Sequence, residues 1–146
     1  MISFFTFLKR TYNIIYAIEY KYFEKSWRKN FPTANEIIPF NVTLAMTLSF
    51  SCLFYGLILL LDFIIGKHFF LLFFSNRIFI YVFVGLVLIM HYYCYEYKSN
   101  YKKVITWFES LNISRSWYIF YLVLTICFSI GSIISFITLA IISVGM

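Results

Sequence analysis

Apolar residues in this chain gather into three long runs, with charges between and before them. The first run, Val42 to Gly66, reads VTLAMTLSFSCLFYGLILLLDFIIG and carries one charge, Asp62. As a helix rising 1.5 Å per residue, such a run crosses a hydrocarbon core of ~30 Å with some tilt. The second, Ile78 to Tyr95, contains no Lys, Arg, Asp or Glu, and the third, Trp117 to Met146, contains no charge at all. The pattern predicts an all-α integral membrane protein with three transmembrane helices over about residues 40–66, 78–95 and 117–142.

Two further segments show helical spacing outside these runs. In residues 1–38, Phe5, Leu8, Tyr12, Ile15 and Tyr22 fall near one face of a helix, with Lys9, Lys21, Lys25, Arg28 and Lys29 elsewhere. This predicts an N-terminal amphipathic helix that either lies on the membrane surface, aromatic side down, or packs on another helix of the chain. Asn30, Pro32 and Pro39 punctuate its end, and Pro39 is placed to open the first span. After the second run, Tyr97, Tyr101, Val104, Ile105, Phe108 and Leu111 recur at helical spacing. The second span is therefore expected to continue as one helix from Arg77 to Leu111, its last part a cytoplasmic extension whose stripe needs a partner. The connection KHFFLLFFSNR is too apolar for a solvated loop and fits the headgroup region. Residues 39–146 thus form one three-helix membrane domain.

Composition sharpens this picture. Hydrophobic residues make up 62% and charged ones 12%, against ~45–50% and ~25% in soluble domains, so lipid must solvate much of the apolar surface. The net charge of +6 points to anionic lipid before nucleic acid, because the cations flank the spans. Six Lys or Arg precede the first span, two sit in the first connection, four in the second, and none follows the third. Alternate sides therefore total ten against two, and the positive-inside rule places the N-terminus inside and the C-terminus outside a bacterial cytoplasmic membrane. MISFFTFLKR has its charges after its apolar run and no small-residue cleavage site, unlike a cleavable signal.

Candidate chemistry is sparse. Asp62 with Lys67 and His68 forms a candidate polar or ion-pair group at the outer end of the first span, with an interfacial, solvated carboxylate as the plainer reading. His91, Tyr92 and Tyr93 read as an aromatic belt at the cytoplasmic interface. His91, Cys94 and Met90 lie within about a turn of one another, yet a copper or zinc site needs more ligands than these. Cys52, Cys94 and Cys127 match no metal spacing and are odd in number, which argues against a disulfide framework. Cys127, Gly131 and Ser135 recur every four residues and form a small-residue packing face, either within the chain or as a dimer seam. Glu19, Glu24, Glu36, Glu96 and Glu109 show no paired or metal-ligand spacing, and His68 and His91 fall on opposite sides of the bilayer. No cofactor and no enzymatic activity are expected.

Pro39-Phe40-Asn41, Leu60-Leu61-Asp62-Phe63, His91-Tyr92-Tyr93 and Tyr101-Lys102-Lys103 together resemble a set of small three-span bacterial membrane proteins. In that set an Asn commonly precedes the Tyr-Tyr pair, where this chain has His91. The resemblance covers about residues 39–140 and implies the three-span fold but no activity. The expected function is contact between helices, as an accessory or immunity-type partner of another membrane component. The alternative is a homo-oligomeric pore or holin-like protein, lined by Thr43, Thr47 and Ser51 on the first span and Ser129, Ser132 and Ser135 on the third.

Overall fold

The computed structural model describes residues 3–29, 37–65 and 77–144, and among them the chain is all-helical. Helix α1 (Phe4–Arg28) ends with Lys25 and Arg28 in its last turn, where cations complement the helix dipole. Arg28 also pairs with Glu24 one turn back, at 2.6 Å. Helix α2 (Ile37–Ile65) holds Pro39 in its first turn, where a missing N–H breaks no helical bond. Helix α3 (Arg77–His91) runs on through a π-helical turn (Tyr92–Glu96) and a 3-10 turn (Tyr97–Ser99) into α4 (Asn100–Ser110). Helix α5 (Arg115–Ile126) is capped by Ser114, whose hydroxyl accepts from the Trp117 N–H at 3.5 Å. A second π-helical turn (Cys127–Gly131) joins it to α6 (Ser132–Val144). Three stretches are long and apolar enough to cross a membrane: Ile37–Asp62, Ile78–Ser110 and Arg115–Thr138. The connection from Lys67 to Asn76, with Lys67 and His68, lies outside the described residues.

Burial runs opposite to the order of a water-soluble protein. Helix α2 buries Thr43, Thr47, Ser49 and Ser51 and exposes Leu44, Leu48, Leu53 and Leu57. The third span buries Thr125 and Ser132 and exposes Ile119, Val123, Ile126, Ile130 and Ile134. Water would drive those leucines and isoleucines inward. Lipid is as apolar as they are, so these can stay outside while small and polar side chains share the packed interior with Ile38, Val42, Met46, Ile58 and Val87.

The single helix expected from Arg77 to Leu111 is instead kinked. Lys98 and Ser99 take positive φ angles of 52° and 55°. Each left-handed residue that is not glycine costs about 1–2 kcal/mol. Packing beyond the kink offsets that strain: Phe108 of α4 is buried with Ile14, Ala17 and Ile18 of α1, with Ile105 and Leu111 around them. Lys21 of α1 reaches Glu109 at 3.2 Å and lies 5.3 Å from the Phe108 ring centroid.

Helix α1 is held by its own chain. Six consecutive residues, Ile14 to Glu19, are buried, so this stretch has neighbours on every side. Ile15 and Tyr16 join Ile38, Val42 and Met46 of α2 and Tyr95 of the π-helical turn. On the other side, Ile14, Ala17 and Ile18 meet α4, with Tyr121 of α5 at the rim. The expected single stripe is thus divided by depth: Ile15 is buried and Tyr12 partly so, whereas Phe5, Leu8 and Tyr22 are exposed. Tyr16 has no exposed surface and stacks on Tyr95, ring centroids 3.9 Å apart and planes 5° from parallel. Replacing it by alanine removes a full aromatic side chain from a closed site. Tyr16→Ala is expected to destabilise the protein by ~3–5 kcal/mol, read by unfolding in mild detergent, while lipid-facing Leu57→Ala changes stability by less than about 0.5 kcal/mol.

Candidate functional site

The polar interior concentrates where α1 enters the bundle. His91, at the end of α3, is 1% exposed. Its Nε2 lies 2.5 Å from the Tyr12 hydroxyl and its Nδ1 3.0 Å from Thr47 Oγ1. The Thr47 hydroxyl has one proton, which it donates to the Thr43 carbonyl at 2.8 Å. Toward His91 it must therefore accept, which puts the ring proton on Nδ1 and leaves Nε2 to accept from Tyr12. The chain of donors runs Tyr12, His91, Thr47, Thr43 carbonyl, and links α1, α3 and α2. Burial raises the Tyr12 pKa, which keeps its hydroxyl a donor, with the Glu19 carboxylate adding to the effect. Tyr95 donates to Asn13 Oδ1 at 3.1 Å, tying the π-helical turn to α1 as well.

Glu19 lies two helical turns beyond Tyr12 on the same face of α1, ~10 Å further along the axis. It is 6% exposed. Its Oε1 accepts a short hydrogen bond from the Ser129 hydroxyl, and its Oε2 is buried without a partner among the described residues. Beside it is a cleft of about 620 Å³ between α1 and the third span, lined by Ile18, Glu19, Tyr22, Phe23, Ala45, Leu122, Thr125, Ile126, Ser129 and Ile130. Burial raises the pKa of the Glu19 carboxyl, and the Ser129 hydrogen bond opposes this in part. The arrangement can hold a proton on Glu19 or a cation beside it.

The other residues singled out from sequence separate. Tyr92 and Tyr93 are exposed, but His91 turns inward and belongs to the Tyr12–Thr47 chain. Successive helical residues point about 100° apart, so three neighbours cannot share one environment. Cys127 and Ser135 are exposed and Gly131 is half-buried. The third span packs inside the chain through Thr125 and Ser132 instead. Asp62 is buried at the other end of α2, with Lys67 and His68 outside the described residues. No cluster of three or more His, Cys, Asp or Glu able to hold a metal occurs among the described residues. Helical spacing puts Tyr12 on an apolar face and Thr47 in a hydroxyl stripe, but does not bring either to His91, and it finds no pairing for Glu19. For Glu19 the signal was present, a lone acid in the apolar run IIYAIEY.

No protein-family model, curated protein or solved structure matches the chain.

Two outcomes follow from this geometry. Thr47→Val removes the hydroxyl that joins His91 Nδ1 to the Thr43 carbonyl and leaves the ring N–H to the Val87 carbonyl, and is expected to cost about 0.5–1.5 kcal/mol in detergent unfolding. Glu19 has a folded pKa above its unfolded one, so its contribution is complete at acid pH and is lost as pH rises through the raised value. Glu19→Gln cannot ionise. Its thermal midpoint should therefore gain on the wild type as pH is raised from mildly acid to mildly alkaline; parallel pH curves would contradict this.

Proposed function

We propose that this chain is a multi-pass protein of the bacterial inner membrane, N-terminus inside and C-terminus outside, that works through contacts between helices. It acts as an accessory or immunity-type partner of another membrane component. The observation that carries this reading is the outward face of the third span. Cys127 and Ser135 are exposed on it, and a Cβ built on Gly131 meets nothing within 4 Å. Small residues let a second helix approach closely, and close approach is what stabilises helix pairs in lipid. The ten-to-two distribution of Lys and Arg across alternate connections supports the orientation. In this orientation the cation-rich α1 and α4 lie on the cytoplasmic side, with lipid as the surrounding partner and no role for nucleic acid.

The open space at Gly131 makes a clean test, because a leucine there fits the isolated chain. With the protein tagged at its C-terminus and extracted from native membranes in mild detergent, Gly131→Leu is expected to lower the co-purifying partner by about tenfold, equivalent to 1.4 kcal/mol. Its own abundance should stay unchanged. Equal complex size and partner yield in the variant would refute the contact.

A further inference from the structure

We propose that the cleft between α1 and the third span binds a monovalent lipophilic cation, its charge paired with Glu19 and its apolar body against Phe23, Ile126 and Ile130. Three features of the site select this chemistry.

The first is an unmatched acceptor. Of the polar groups lining the cleft, Thr125 donates to the Tyr121 carbonyl at 2.8 Å and Ser129 donates to Glu19. Glu19 Oε2 is left buried with no partner among the described residues. The second is the lack of a counter-charge. Among the described residues no Lys or Arg lines the cleft, and one turn away from Glu19 on α1 stand Ile15, Tyr16, Tyr22 and Phe23. Two cations of the same helix are engaged elsewhere, Lys21 with Glu109 and Arg28 with Glu24. A buried carboxylate without a partner is costly, and a cation relieves that cost. The third is the lining itself. At about 620 Å³ the cleft falls within the ~300–1,000 Å³ range of small-molecule sites. Leu122, Ile126 and Ile130 are exposed on the surface that faces lipid, so a ligand dissolved in the bilayer reaches the cleft from the side.

These features also reject the alternatives. A hydrated metal ion finds a single carboxylate and two committed hydroxyls. An anion is repelled, and a neutral apolar molecule leaves Oε2 unmatched. An organic cation with an apolar shell satisfies charge and surface together, and the Tyr22 and Phe23 rings can add cation–π attraction. On entry it displaces the carboxyl proton to solvent.

The test uses the full-length protein in phosphatidylcholine nanodiscs, in mildly alkaline buffer, with radiolabelled tetraphenylphosphonium as probe and empty nanodiscs as background. Saturable binding is expected, weakened at least about tenfold by Glu19→Gln and also by Ile130→Trp, which fills the mouth from the lipid side and leaves the α1 packing alone. Absence of a saturable component in the wild type overturns the proposal, as does saturable binding that either folded variant leaves within twofold. Should Glu19→Gln fail to fold by circular dichroism, Ile130→Trp decides: lost binding supports the cleft, and unchanged binding overturns it.

Discussion

Hydrocarbon offers no hydrogen bonds, so every polar group inside the three spans has to be satisfied by the protein. Thr47 turns back to the Thr43 carbonyl, Thr125 to Tyr121 and Ser132 to Ser129. The Tyr55 hydroxyl crosses from α2 to the Ile80 carbonyl of α3 at 3.4 Å. Leucine and isoleucine gain little from leaving lipid, so many of them stay exposed, while threonine and serine of the spans are buried beside Ile38, Val42, Met46, Ile58 and Val87. Layering of this kind follows from the solvent before any particular contact is considered.

At one end of the bundle the spans cannot meet this requirement alone, and α1 supplies what is missing. It brings Tyr12 to His91, Asn13 to Tyr95 and a carboxylate to Ser129. In return its central residues, Ile14 to Glu19, are buried. The kink at Lys98 and Ser99 belongs to the same arrangement. Without it α4 would continue the axis of α3, and Phe108 could not close over Ile14 and Ile18. Local strain at two residues is thus exchanged for burial of an aromatic side chain, which is worth about 1.5–3 kcal/mol.

The spans were legible in the sequence because hydropathy reports the solvent, and a long uncharged run has one stable environment. Facing was not legible to the same degree. His91 shares its interfacial composition with Tyr92 and Tyr93, and only the position of Thr47 on another helix tells which of the three turns inward. Cys127, Gly131 and Ser135 have the spacing of a packing face, yet the chain packs through Thr125 and Ser132, which carry hydroxyls that need a dry partner more than a thiol does. The kink escaped because Lys98 and Ser99 are ordinary residues forced into left-handed geometry by tertiary contacts, and neither is the glycine that would announce it. Glu19 has no pairing partner among the five glutamates by spacing, and what marks it in the sequence is the apolar residues on both sides of it.

These placements weigh on the choice between a pore and a contact protein. A pore needs a polar face turned to a lumen shared between copies. Thr43, Thr47 and Ser51 are buried in the chain and Ser132 is 2% exposed, so most of that polar surface is already used within one copy. What the third span turns outward is small at Cys127, Gly131 and Ser135 and branched and apolar around them, a surface suited to another helix rather than to water. Two of these polar groups hold α1 in place, Thr47 through His91 and Ser129 through Glu19.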